Sequence, residues 1–262
     1  MRPDSPSSLS ADAREPVGGP VQALAGEAAA FFDLDRTLIR RSSMLALAPA
    51  LRRRGLIGWR ALMRASAWHA VYLIRGVSSR ELDQVAQQTF RLMRGWPVEQ
   101  FRAVVAAEIE PLAALAFPEA LERMREHQAR GERAIVVSAS LADLVEPLAE
   151  RLGLDGAIAS HAEVRGGRFS GGIETFLHGA VKAEAVRRYA AENGIDLSAS
   201  SAYTDSRSDV ELLRTVGHPY AVNPDRALTA AAESHGWPIL HFASSRRDRV
   251  EAEASLALDA DR

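Results

Sequence analysis

The chain has 262 residues, 47% hydrophobic and 25% charged, enough for one large α/β domain or a core domain carrying a cap. A formal net charge of −2 excludes bulk attraction to nucleic acid or to an anionic membrane, so any such contact must be local. The absence of cysteine rules out disulfides, thiolate zinc sites and a cysteine nucleophile, and agrees with a cytoplasmic location.

Residues 1–26 are rich in Ser, Pro, Ala and Gly without apolar periodicity, and read as a disordered leader. The first regular element is a buried strand over residues 28–32, a run of small and aromatic apolar side chains. Asp33 and Asp35 follow just where that strand ends. In a parallel sheet, ligands bind outside the carboxyl ends of the strands. Two carboxylates flanking one extended residue leave on the same face, and they repel each other unless a cation intervenes or one is protonated. The pair is therefore either a metal site or an acid/base arrangement.

From about Ser43 to Leu115 the pattern is helical, broken by Gly55, Gly58 and Gly76 into several helices. This insertion is too long for a simple crossover and reads as an all-helical cap over the strand ends. Part of it, Arg52-Arg53-Arg54 and Trp59-Arg60-Ala61-Leu62-Met63 followed by Trp68, Val71, Tyr72, Leu73 and Ile74, mixes arginine with bulky apolar residues. That mixture suits cap-to-core packing, and alternatively a peripheral membrane contact or a pocket for an apolar-tailed ester. No stretch reaches the ~18 uncharged apolar residues that a membrane-spanning helix needs.

A helix over 118–129 precedes a strand over 134–137. A helix over 141–152 follows, stopped by Gly153, and then a short strand near 157–159. Residues 161–176 alternate around Gly166-Gly167 as a hairpin. Next come a helix over 180–193 ending at Gly194, a strand over 202–204 and a helix over 208–216. A strand over 220–222, a helix over 226–235 with Asp225 near its cap and a strand over 239–242 complete the order. This alternation predicts an α/β fold, a doubly wound and mainly parallel sheet with one helical insertion. The expected division is a core of 27–40 and 116–243, a cap of 41–115 and a flexible tail of 244–262.

Three later strand ends carry polar residues. Ser138 closes the second strong strand, where its hydroxyl and the following N–H groups suit an oxyanion; alone, it reads equally well as a helix cap. Lys182 lies in the first turn of its helix, where the helix dipole offers it nothing, and it suits a phosphoryl group or simple solvation. Asp205 ends a strand as a hard-cation ligand would, and Asp209 falls four residues later, at a helix start. Individually weak, these signals gain weight from their order: two acids, a hydroxyl, a lysine, two acids.

In that order the chain resembles the haloacid dehalogenase-like (HAD) superfamily of hydrolases. Asp33-Leu34-Asp35-Arg36-Thr37-Leu38 is similar to the family's D-x-D-x-T motif, Ser138 to its second, Lys182 to its third and Asp205-Ser206-Arg207-Ser208-Asp209 to its D-x-x-x-D fourth. The resemblance spans roughly residues 28 to 242, and the insertion is similar to the type I cap of the phosphoserine phosphatase-like branch, subfamily IB. It implies a Rossmann-like core and a Mg²⁺-dependent phosphomonoesterase for a small organic phosphate. Asp33 would be the nucleophile, forming an aspartyl-phosphate, and Asp35 the proton shuttle. Ser138, the N–H of Ala139, Lys182 and Ser208 would hold substrate. Asp33, the Asp35 carbonyl and Asp205 would surround the metal, with Asp209 orienting Lys182 or a metal-bound water. The second acid, Asp35, favours a phosphatase over the dehalogenase branch, which lacks it. One departure concerns substrate: where phosphoserine phosphatases carry a Glu for the substrate amino group, this chain has Ser42, and Ser208 and Ala139 replace that branch's Asn and Gly. Histidinol phosphate and lipid or sugar phosphates are the alternative substrates, and a non-catalytic binding protein is the alternative role.

Overall fold

In the computed structural model, which describes residues 27–58 and 90–243, seven strands form one sheet in the order β4-β3-β2-β1-β5-β6-β7. They are β1 (Ala29–Asp33), β2 (Arg133–Leu141), β3 (Gly156–Arg165), β4 (Arg168–Thr175), β5 (Ser201–Thr204), β6 (His218–Val222) and β7 (Ile239–Leu240). All neighbours are parallel except β3 and β4, which form an antiparallel hairpin. The expected leader, the tail and the Trp59–Ile74 part of the insertion lie outside the described residues.

β1 sits at the centre, and all five of its residues are buried. Its neighbouring side chains alternate between two cores. Phe31 joins α6 (Ala180–Asn193), α7 (Val210–Leu213) and α8 (Arg226–His235), through Ala183, Val186, Leu212 and Leu228. Phe32 joins α4 (Pro118–Ala129) and α5 (Ala142–Leu152), through Met124, Leu144 and Leu148. A doubly wound sheet is the consequence, with each fully buried aromatic contributing about 2 kcal/mol by transfer from water. Phe32, Tyr203 and Tyr220 share one register across β1, β5 and β6, and their rings stack with centroids 4.6 and 4.7 Å apart.

The described parts of the insertion include α1 (Ser43–Arg53), α2 (Val98–Ala107) and α3 (Ile109–Ala113). Leu47, Leu51, Phe101, Val104 and Leu112 enter the same apolar cluster as Phe32 and Leu148. The two chain crossings between insertion and sheet are tied to each other. Ile39 and Ala116 form an antiparallel bridge, and the Arg40 guanidinium donates to the carbonyls of Ala114, Leu115 and Ala116.

Two elements differ from the sequence pattern. The strand near 157–159 and the first arm of the hairpin are one continuous strand, β3, which pairs with β2 through Ser160 and with β4 from His161. The chain exchanges one partner for another without turning, so no break is needed. The helix expected over 208–216 is a 3₁₀ turn, Arg207–Asp209, followed by the short α7. It ends early because the Thr215 hydroxyl takes the Leu212 carbonyl at 2.7 Å and the backbone tightens to the same oxygen.

Candidate active site

The carboxyl ends of β1 and β5 meet the first turn of α6. Asp33 is the last residue of β1, Thr204 the last of β5, and Asp205 follows directly. Between them lies Lys182, the third residue of α6, only 2% exposed. Its ammonium donates to Asp33 Oδ1 at 2.5 Å and to Asp209 Oδ2 at 2.6 Å. A lysine in the first turn opposes the helix dipole, so these two carboxylates are what hold its charge in the interior. Burial alone would draw its pKa down, yet Asp209 and Asp33 more than reverse that, and Lys182 stays protonated.

The acids carry the opposite strain. Burial pushes Asp33 up to about 6, against the pull of Lys182 and with added repulsion from Asp209. Asp205 is raised well above the ordinary carboxylate range, again first by burial, with Arg36 opposing and Asp33 and Asp209 reinforcing. Arg36 pairs with Asp205 at 2.8 Å. It occupies the left-handed backbone region, φ 66, within the tight turn after β1 where Leu38 and Ile39 both donate to the Leu34 carbonyl. A non-glycine residue there costs about 1–2 kcal/mol.

Asp35 takes a different partner. Its Oδ1 accepts from the Ser43 N–H at 2.9 Å, and burial raises its pKa despite hydrogen bonds from Ser43. The Asp33 and Asp35 side chains, neighbours on one turn, thus have separate partners. Asp209 accepts from both Lys182 and the Thr204 hydroxyl, the latter at 2.8 Å, so its carboxylate is turned to the lysine.

On β2, Ser138 is buried and its hydroxyl accepts from the Ser140 N–H at 3.1 Å. The strand continues past Ser138 and Ala139 to Leu141, with an irregular register to β3 that opens the backbone between Ser138 and Leu141. Ser208 sits in the 3₁₀ turn with its hydroxyl 2.9 Å from that of Ser206. Ser43, Thr204 and Arg36 are contributors that motif spacing does not point to. Thr204 alone carries a legible signal, a hydroxyl at a strand end beside an acid.

Among the described residues, no three acidic, imidazole or thiolate side chains converge as a ready ligand set. A hard cation with a mostly aqueous shell does not require one, since Mg²⁺ is usually held by one or two carboxylates plus water and substrate oxygens. The ion pairs are compatible with such an ion: three carboxylates (Asp33, Asp205, Asp209) share two cations (Lys182, Arg36), leaving an excess of negative charge that a cation would offset. Asp33, raised by burial and by Asp209, and Asp205, raised by burial and by Asp33 and Asp209, are the side chains such an ion would relieve.

Comparison with known proteins places the chain in a family. Residues 30–214 match the haloacid dehalogenase-like hydrolase family. The chain is 41% identical over 216 residues to an "inhibition of morphological differentiation protein" of Streptomyces azureus, covering 82% of this chain and 78% of that one. It is 32% identical over 238 residues to a phosphoserine phosphatase of Mycobacterium tuberculosis, 89% of this chain and 77% of that one. A solved structure of a Bordetella pertussis protein of unknown function superposes with a TM-score of 0.72 at 28% identity, covering 82% of this chain and 99% of the other.

Proposed function

The chain belongs to the haloacid dehalogenase-like hydrolase family, and we propose that it is a Mg²⁺-dependent phosphomonoesterase working through an aspartyl-phosphate on Asp33. The observation that carries this reading is Lys182, bonded at once to Asp33 at 2.5 Å and to Asp209 at 2.6 Å in a cluster with excess negative charge. Folding alone does not call for such a cluster at a strand end.

Asp33 Oδ1 is held by Lys182, which leaves Oδ2 to attack phosphorus; the P–O bond to the substrate alcohol breaks as the P–O bond to Asp33 forms. Asp35 gives its proton to the departing oxygen, then accepts one from the water that cleaves the acyl phosphate, releasing phosphate and restoring Asp33. Ser138 and the Ala139 N–H hold phosphoryl oxygens, and Lys182 offsets the charge of the incoming dianion. Bound Mg²⁺, held by Asp33, Asp205 and the Asp35 carbonyl, would supply the neutralisation that an anionic nucleophile needs against a phosphate monoester. Asp209 keeps Lys182 aimed at Asp33.

The substrate is a small organic phosphate of the phosphoserine-like kind, with one restriction. Ser42 caps α1 by accepting from the Leu45 N–H, so this position presents no carboxylate to a substrate ammonium group. Hydrolysis of p-nitrophenyl phosphate with Mg²⁺, wild type against Asp33→Asn, tests the reaction, and equal rates would overturn it. A panel of phosphoserine, histidinol phosphate, sugar phosphates and lipid phosphates then ranks the substrates.

A further inference from the structure

To meet the leaving oxygen, the Asp35 carboxylate has to be fixed. Ser43 does this. It is fully buried at the first position of α1, immediately after the Ser42 cap. Its N–H is one of the donors a helix start leaves without a partner in the helix, and here it is given to Asp35 Oδ1 at 2.9 Å. On its other side, the Ser43 hydroxyl lies 3.0 Å from that of Ser140, whose N–H donates to Ser138 Oγ at 3.1 Å. Asp35, Ser43, Ser140 and Ser138 therefore form one hydrogen-bonded chain from the turn after β1, across the start of the insertion, to the end of β2.

We propose that Ser43 is a positioning residue for Asp35, and that Ser140 locks it to the phosphoryl-binding end of β2. This rests on the reading of Asp35 as proton donor given above. Two distant segments that must cooperate in one reaction are thereby held in register by two hydroxyls. Ser140 is easily taken for a helix cap, but it lies inside β2, and α5 begins at Ala142. Its hydroxyl is turned instead to Ser43.

The signature of a proton donor is dependence on the leaving group. An alkyl phosphate expels a strongly basic alkoxide and needs the proton, whereas p-nitrophenyl phosphate expels a weakly basic phenolate and hardly does. The test compares kcat/KM, which reports through the first phosphoryl transfer, for phosphoserine or another turned-over alkyl ester and for p-nitrophenyl phosphate. Wild type, Asp35→Asn, Ser43→Ala, Ser43→Thr and Ser140→Ala are measured with Mg²⁺. Ser43→Ala and Ser140→Ala are expected to lose about tenfold on the alkyl ester and less than about threefold on the aryl ester, a share of the 10²- to 10⁴-fold that general acid catalysis supplies. Ser43→Thr, which keeps the hydroxyl, is expected to recover most of that loss. Equal losses on both esters, or none, would overturn the proposal. If Ser43→Ala does not fold, Ser140→Ala at the half-buried site decides by the same ratio. Should Asp35→Asn itself show no preference for the alkyl ester, the proton-donor reading fails; should it show one that the serine variants lack, only the positioning role fails.

Discussion

Two polar networks, one reaching the surface and one buried, lie at opposite ends of the sheet. At the amino end, Glu132 directly precedes β2 and pairs with His127 at 2.5 Å and Arg130 at 2.6 Å, while the other His127 nitrogen meets the Tyr203 hydroxyl at 2.8 Å. One carboxylate and one guanidinium balance there, and burial keeps the imidazole below its usual pKa although Glu132 opposes this. At the carboxyl end, three carboxylates share two cations, and Asp33 and Asp205 are pushed upward. A balanced network is complete in the bare protein and acts as structure. An unbalanced one is complete only with ligands bound, and marks where chemistry is done.

That contrast can be broken most forcefully at Lys182. Lys182→Ala strands two buried carboxylates and is expected to cost about 3–5 kcal/mol of stability in the absence of metal. Added Mg²⁺ should restore part of this, as read by urea denaturation with and without the ion. Recovery would be absent if the carboxylates did not form a cation site. Tyr203→Phe probes the other end. It leaves a His127 nitrogen without its partner, so a loss of about 1–2 kcal/mol is expected, with turnover of p-nitrophenyl phosphate unchanged. A large fall in turnover would erase the distinction between the two networks.

The smallest effect is a pH dependence. His127 is held neutral in the fold, while an unfolded histidine takes up a proton near pH 6.5. A depressed folded pKa means that the unfolded chain binds the extra proton first. Its contribution is therefore intact above about pH 6.5 and is lost as pH falls below that value. The urea midpoint of wild type should drop between pH 7.5 and 5.5 by more than that of His127→Gln. Identical slopes would show that His127 does not titrate between the two states.

Much of this arrangement is legible in the residue order. The helices Pro118–Ala129, Ala180–Asn193 and Arg226–His235 follow from apolar spacing and their stops. Gly153 and Gly194 adopt the left-handed conformation that ends a helix, at φ 80 and 66, and Asp225 accepts from the Leu228 N–H as a cap. Asp33, Asp35, Ser138, Asp205 and Asp209 fall toward the carboxyl ends of β1, β2 and β5 or in the turns that follow, because a chain of alternating strands and helices delivers its βα junctions to one edge, while Lys182 reaches Asp33 from the first turn of α6, after the antiparallel β4. Less legible is which neighbour each group takes. Nothing in D-x-D-x-T foretells that Arg36 reaches Asp205, which only the pairing of β1 with β5 brings near. Ser43 and Ser140 are 97 positions apart, and only the return of α1 over the end of β2 brings them together. Pairings of this kind are set by tertiary packing rather than by local spacing.

The central claim is that Asp33 attacks phosphorus, and the direct measurement is to catch it doing so. Wild-type enzyme in excess over a phosphate ester, with Mg²⁺, is quenched in acid during a single turnover and its peptides are weighed. A phosphoryl group is expected on the peptide carrying Asp33, removable by hydroxylamine and absent from Asp33→Asn. Rapid turnover with no covalent phosphoryl group, or with one on another residue, would contradict the account.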